Sequence, residues 1–152
     1  MEVEPSPVVM MGLDPGGRRI GVALSDPTGL LASAHSVLRR TTQEGDLLAL
    51  RRIAEEHGVV RVVIGLPLHM SGEEGEEAEL ARALACEVEA ALGVPVSLVD
   101  ERLSSVEADR RLLELGVPRK HWRARRDAVA AAVVLQSYLD GLRYERARAA
   151  NR

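Results

Sequence analysis

The sequence predicts an α/β fold: a mixed five-stranded sheet, three antiparallel strands and then strands reached by parallel crossovers, with helices on both faces. Three features carry this reading. Apolar runs near the start are separated only by tight turns, later apolar runs alternate with amphipathic helical periods, and one late segment is apolar on almost every side.

Val8 to Asp14 is an apolar run ending on an acid, and Pro15-Gly16-Gly17 is a turn before a second apolar run to Asp26. The pattern is that of a tight hairpin between buried strands. Pro27-Thr28-Gly29 turns the chain into a third strand over Leu30 to Val37. Leu47, Leu50, Ile53 and Ala54 recur at helical spacing, giving a helix over roughly 45–57 that Gly58 ends. Val59 to Ile64 is β-branched at each apolar position, as expected of a buried strand parallel to its partner. Ser71 and Glu74 fit a capping box for a second helix whose stripe runs from Ala78 to Leu92. Val94 to Val99 is the fifth strand, and it ends on Asp100-Glu101-Arg102. Ser104 and Glu107 fit another capping box, opening a helix stopped by Gly116 and Pro118. A basic loop follows, and Asp127 to Leu142 is a final helix buried against the sheet. The order βββαβαβαα matches an RNase H-like architecture in a single domain over 8–142, with a disordered tail at 1–7 and a basic tail at 143–152.

With 46% apolar and 28% charged residues, the chain is a soluble globular protein rather than a disordered one. Its longest strongly apolar stretch, Ala128 to Leu135, is too short to cross a bilayer, and the first seven residues lack a signal pattern. A cytoplasmic protein with no membrane partner is expected. The lone Cys86 offers no disulfide or metal cluster and reads as a buried thiol. Charge is uneven: the first 99 residues carry −7 and the remainder +4. The positive excess gathers at Arg119, Lys120, Arg123, Arg125 and Arg126, which suits a polyanion partner. The only aromatics, Trp122, Tyr138 and Tyr144, are too few for a base-stacking platform.

Three acids fall at element boundaries: Asp14 after the first strand, Glu101 after the fifth and Asp127 at the start of the last helix. Ends of parallel strands share one edge of a sheet. Carboxylates gathered there suit Mg²⁺ or Mn²⁺, hard cations that bind phosphates and promote phosphodiester hydrolysis. Taken singly, each acid also has a structural reading, as a turn former, a partner of Arg102 and a helix cap. Arg18 and Arg19 on the first turn, with the 119–126 cluster, are candidates to hold phosphates as guanidinium forks, and Arg19 could equally bond turn carbonyls.

The runs Gly12 to Asp26, Gly65 to Gly72, Asp100 to Ala108 and Asp127 to Leu139 resemble the four motifs of the bacterial YqgF/RuvX family. The resemblance spans about residues 8–140. It implies an RNase H-like nuclease, described both as a Holliday junction resolvase and as an enzyme maturing the 5′ end of pre-16S rRNA. Carried over by position, it gives Asp14, Glu101 and Asp127 as metal-binding, catalytic acids. RuvC-type resolvases have a further acid where this chain has Ala124, and a fourth-strand acid near Gly65-Leu66-Pro67-Leu68, where this chain has none. Asp26, Asp100 and Glu73 are candidates to compensate, and His69 stands where the related motif often has Asn.

The expected function is therefore metal-dependent hydrolysis of structured nucleic acid, either pre-rRNA or a four-way DNA junction. A junction resolvase is expected to act as a homodimer, because its substrate is symmetric. Two other readings stand beside this one. A P-loop is a poor match, since no Lys-Ser/Thr pair follows Gly17, and an actin-like ATPase needs a second domain. A non-catalytic RNA- or ribosome-associated module would keep the fold without a full metal site.

Overall fold

The computed structural model describes residues 8–151. Its elements follow the expected order: β1 (Val9–Pro15), β2 (Arg19–Ser25), β3 (Ala32–Arg39), α1 (Gln43–His57), β4 (Val59–Leu66), α2 (Glu76–Leu92), β5 (Val96–Asp100), α3 (Ser104–Glu114) and α4 (Trp122–Ala150). The sheet order is β3-β2-β1-β4-β5. β1 and β2 pair antiparallel, as do β2 and β3, whereas β4 lies parallel to both β1 and β5. Among the described residues no helix is long and apolar enough to cross a membrane. The tail expected at 1–7 lies outside the described residues.

Strand alternation divides the core between two faces. Met11, Leu13, Ile20, Val22, Val62 and Ile64 pack with Leu50 and Ala54 of α1 and with Leu84 and Val88 of α2. On the other face Ala23 and Val63 meet Ala131, Val134, Leu135 and Leu139 of α4. Helix α4 can sit this close because two strand positions lack side chains. A Cβ on Gly12 would fall 2.7 Å from Leu135 Cβ, and one on Gly21 would fall 1.9 Å from the Asp127 carbonyl oxygen. Gly21 is also the β2 partner of Asp14. The close seating of α4 thus brings its N-terminal part to the end of β1.

Several local expectations are corrected. The third strand starts at Ala32 rather than Leu30, because the Asp26 carboxylate accepts from Leu30 N (2.9 Å) and Leu31 N (3.0 Å) and holds both in the turn. Helix α1 begins two residues early, at Gln43, with the Thr42 hydroxyl accepting from Gly45 N at 3.0 Å. Neither expected capping box forms. Glu74 is engaged by Arg82, so α2 opens at Gly75 without a side-chain cap. Ser104 instead donates to the Glu101 carbonyl at 2.9 Å, and Glu107 pairs with Arg110 and Arg111. Cys86 is exposed rather than buried, since it stands about 100° around the helix from buried Ala85.

The largest difference lies at the end of the chain. The expected loop at 119–126 is a short 3₁₀ turn, Arg119–His121, leading into α4, and α4 continues to Ala150 through most of the expected basic tail. Trp122 anchors its first turn by donating to the Val117 carbonyl at 2.8 Å. Beyond Leu142, strong helix formers such as Ala, Arg and Glu dominate, and Asp140 pairs with Arg143 across the expected end.

Candidate active site

The three boundary acids gather at one end of the sheet, on the face covered by α4. Asp14 shares the face of Gly12, which looks onto Leu135 of that helix. Extending the parallel register past Leu13↔Ile64 sets Asp14 beside Gly65 of β4. Glu101, immediately after β5, leans across β4 into the space that Gly65 leaves open. A Cβ at Gly65 would lie 2.4 Å from Glu101 Oε2 and 3.0 Å from its Cδ. Gly65 is therefore what lets the carboxylate of the fifth strand reach that of the first.

This pairing is electrostatically costly. Burial pushes the Asp14 carboxyl above the ordinary range and nearby Asp127 adds to the rise, while contact with Glu101 and the charge of Arg126 oppose it. Glu101 is pushed further, to about 9, first by burial and then by contact with Asp14 and by the charges of Asp14, Glu77 and Asp100. Glu101 Oε2 is buried, and apart from the neighbouring Asp14 carboxyl it has no hydrogen-bond partner among the described residues. Two half-buried carboxyls facing each other make a pocket that a hard cation would satisfy.

Asp127 is close enough to raise Asp14 but turns to another partner, with its Oδ2 3.3 Å from Arg19 Nε. Among the described residues no three ligand-type side chains already enclose a common point. The arrangement is thus a carboxylate pair with a third acid beside it. None of the candidate substitutes joins it: Asp26 caps its own turn, Asp100 is bound by Arg102 at 2.7 Å, and Glu73 is exposed. The His69 ring rests against Gly75, where an added Cβ would fall 2.5 Å from Nε2, so it packs the loop between β4 and α2.

The basic residues separate into two groups. Of the cluster at 119–126, Arg126 is bound to Asp109 at 2.8 Å and Arg119 lies over the Trp122 ring at 4.9 Å. Arg125 lines a groove with His35 and Leu112 rather than the acids, and Lys120 and Arg123 are exposed. On the hairpin, Arg19 pairs with Asp127 and Arg18 is exposed. Arg39 and Arg40, which sequence reasoning misses, stand beside Arg18 in one concavity. Their signal is present in the sequence as an adjacent basic pair, but only the β2–β3 pairing, Arg19 opposite Arg39, brings it to the first turn. Gly65 in the sequence marks only a place where an acid is missing, and its role in admitting Glu101 is visible only in three dimensions.

The chain is similar to known proteins over most of its length. A relative from Myxococcus xanthus, named "Putative pre-16S rRNA nuclease", is 50% identical over 88% of this chain and 88% of its own length. One of the same name from Moorella thermoacetica is 46% identical over 88% of this chain and 95% of its own. Among solved structures, Thermus thermophilus RuvC in complex with a Holliday junction substrate aligns with a TM-score of 0.56 at 18% identity, covering 88% of this chain and 94% of that one. Fowlpox virus resolvase with Holliday junction DNA aligns with a TM-score of 0.56 at 10% identity, covering 88% and 98%. At these identities the likeness establishes the shared fold, the RNase H-like mixed sheet of the resolvases. The model of the RuvX family, described as Holliday junction resolvase, matches residues 8–141, and the chain belongs to that family.

Proposed function

We propose that this chain is a nuclease that hydrolyses phosphodiester bonds of structured nucleic acid through Asp14 and Glu101, with Asp127 assisting. The observation that carries the assignment of residues is the Asp14–Glu101 pair itself, with a buried Glu101 oxygen that has no donor other than the pair among the described residues. The names of the relatives support precursor 16S rRNA as a substrate, and the junction-bound neighbours support a four-way DNA junction.

Asp14 and Glu101 are the residues that would hold a divalent cation, Mg²⁺ or Mn²⁺. Bound there, it would offset phosphate charge and make water a better nucleophile. The chain's own part is to position. Gly65 fixes how far Glu101 reaches, the Gly21 contact fixes where α4 presents Asp127, and Arg19 holds Asp127 near the hairpin turn. Arg19 has a guanidinium at the rim that can exchange its carboxylate for a substrate phosphate. Cutting two symmetric strands of a junction would call for a homodimer, whereas trimming one rRNA end would not.

The test is Mg²⁺- or Mn²⁺-dependent cleavage of a four-way junction and of a precursor rRNA by the wild type and by Asp14→Asn. Cleavage of at least one substrate by the wild type and none by the variant is expected. Equal activity in the two proteins would defeat the proposal.

A further inference from the structure

We infer that Arg18, Arg39 and Arg40 form a second phosphate-binding site, separate from the acids, which grips the backbone of the nucleic-acid substrate beyond the bond being cut. The inference rests on the nuclease reading for the identity of its ligand. Its geometry is independent of that reading.

The three guanidinium-bearing residues line one open concavity together with Gly17, Thr41 and Asp46. Pairing of β2 with β3 sets Arg39 opposite Arg19, and Arg40 N donates to the Arg18 carbonyl at 2.8 Å, so the two arginine-bearing segments are fixed to each other. Arg40 is built into place: it donates to the Gly16 carbonyl at 3.0 Å, and its Nε stands 3.6 Å from the carboxylate of buried Asp46. Asp46 is held in turn by Thr41 N at 2.9 Å. The side chains of Arg18 and Arg39 are exposed and have no carboxylate or hydrogen-bond partner among the described residues. With three arginines and one aspartate, the concavity carries a net positive charge and two unspent forks. A phosphodiester anion, singly charged with two non-bridging oxygens to accept from a fork, is the ligand those forks match.

Position makes this site part of substrate recognition. Arg40 and Gly17 also line the adjoining cleft whose wall includes Glu101 and Pro67. One strand passing from the acids over the hairpin turn would therefore meet the arginines next. By contrast, Arg126 and Arg119 near Asp127 are already engaged by Asp109 and Trp122. The free guanidiniums adjoining the Glu101 cleft lie on the hairpin side. Such contacts would set the register of the backbone without reading its sequence.

The test measures equilibrium binding of fluorescently labelled four-way DNA junction and labelled structured RNA to the full chain, without divalent metal, over a range of salt concentrations. Wild type is compared with Arg18→Ala/Arg39→Ala and with Arg51→Ala, whose partner Glu55 lies away from this pocket on α1. The double variant should bind about tenfold more weakly or worse at low salt. Its log K against log salt should be flatter by about 0.7 to 0.9 for each phosphate that is no longer neutralised. Arg51→Ala should match wild type. An unchanged affinity and slope in the double variant, or an equal loss in Arg51→Ala, overturns the site. A wild type that binds neither nucleic acid overturns it as well. Because cleavage is not the readout, a wild type that binds through these arginines yet cuts nothing would sink the nuclease reading alone.

Discussion

Asp14 and Glu101 stand at strand ends with no basic side chain among the described residues bonded to either, whereas Asp127, on the facing helix, is held by Arg19 at 3.3 Å. The two walls of the site solve opposite problems. On the helix wall Asp127 has Arg19 as a partner, and Arg126 has Asp109. On the sheet wall two carboxyls are brought together, and burial holds both above their ordinary range. A rigid sheet can hold such a pair, because its strands are fixed by a ladder of hydrogen bonds and by the core beneath. The difference teaches that the two sheet-wall carboxyls lack a countercharge among the described residues, while Asp127 and Arg126 on the helix wall each have one.

Removing a sheet-wall acid should have the largest effect. Asp14→Asn and Glu101→Gln should each lower cleavage by more than the ~10–100-fold typical of changes to groups that merely support a metal ligand. Asp127→Asn should cost less than either, and steady-state cleavage of one substrate by the three variants ranks them. Gly65→Ala comes next. Its Cβ would displace a flexible carboxylate rather than backbone, so the fold should survive at an overpacking cost of about 1–3 kcal/mol. Cleavage should nevertheless fall by roughly 100-fold for each ångström that Glu101 is moved. Denaturant unfolding and kinetics on the same sample separate the two effects.

A smaller effect is expected on stability without metal. The Glu101 pKa is raised in the folded protein from 4.5 to about 9, so its contribution is fully present below pH 4.5. That contribution is lost as pH rises toward about 9. Thermal unfolding of the metal-free protein should thus show stability declining across this window, and Glu101→Gln should flatten the decline. A wild-type curve as flat as the variant's would contradict the pairing. The smallest effect is expected at Arg126. Its pair with Asp109 is partly exposed and worth about 0–1 kcal/mol, so Arg126→Ala should change stability by no more than that in chemical denaturation.

Much of this fold can be read from the chain because its patterns are local. The turns at Pro15-Gly16-Gly17 and Gly58, the β-branched run at Val59 to Ile64 and the all-round apolar stretch after Asp127 each declare their own element. What cannot be read is decided by partners distant in sequence or by local side-chain competition. Glu74 leaves its cap for Arg82, Trp122 starts α4 early through Val117, and Asp26 delays β3. The site divides the same way. Asp14 and Glu101 are legible because each sits at a strand end, whereas Asp127, read as the start of the last helix, lies inside α4, which begins at Trp122. That Asp127 faces Arg19, and that the empty position of Gly65 is filled by Glu101, depends on the pairing of β2, β1, β4 and β5 in one sheet under α4. Arg39 and Arg40 escape a reading of the sequence because a pair of arginines at a strand end has no meaning until the neighbouring strand is known.

The central claim is that the Asp14–Glu101 pair receives a divalent cation. Calorimetric titration of Mn²⁺ into the full chain tests it most directly, with wild type, Asp14→Asn, Glu101→Gln and Arg126→Ala compared at one pH. Saturable binding by wild type and Arg126→Ala, lost or severely weakened in the other two variants, is the predicted result. Undiminished Mn²⁺ binding by Asp14→Asn and Glu101→Gln would contradict it.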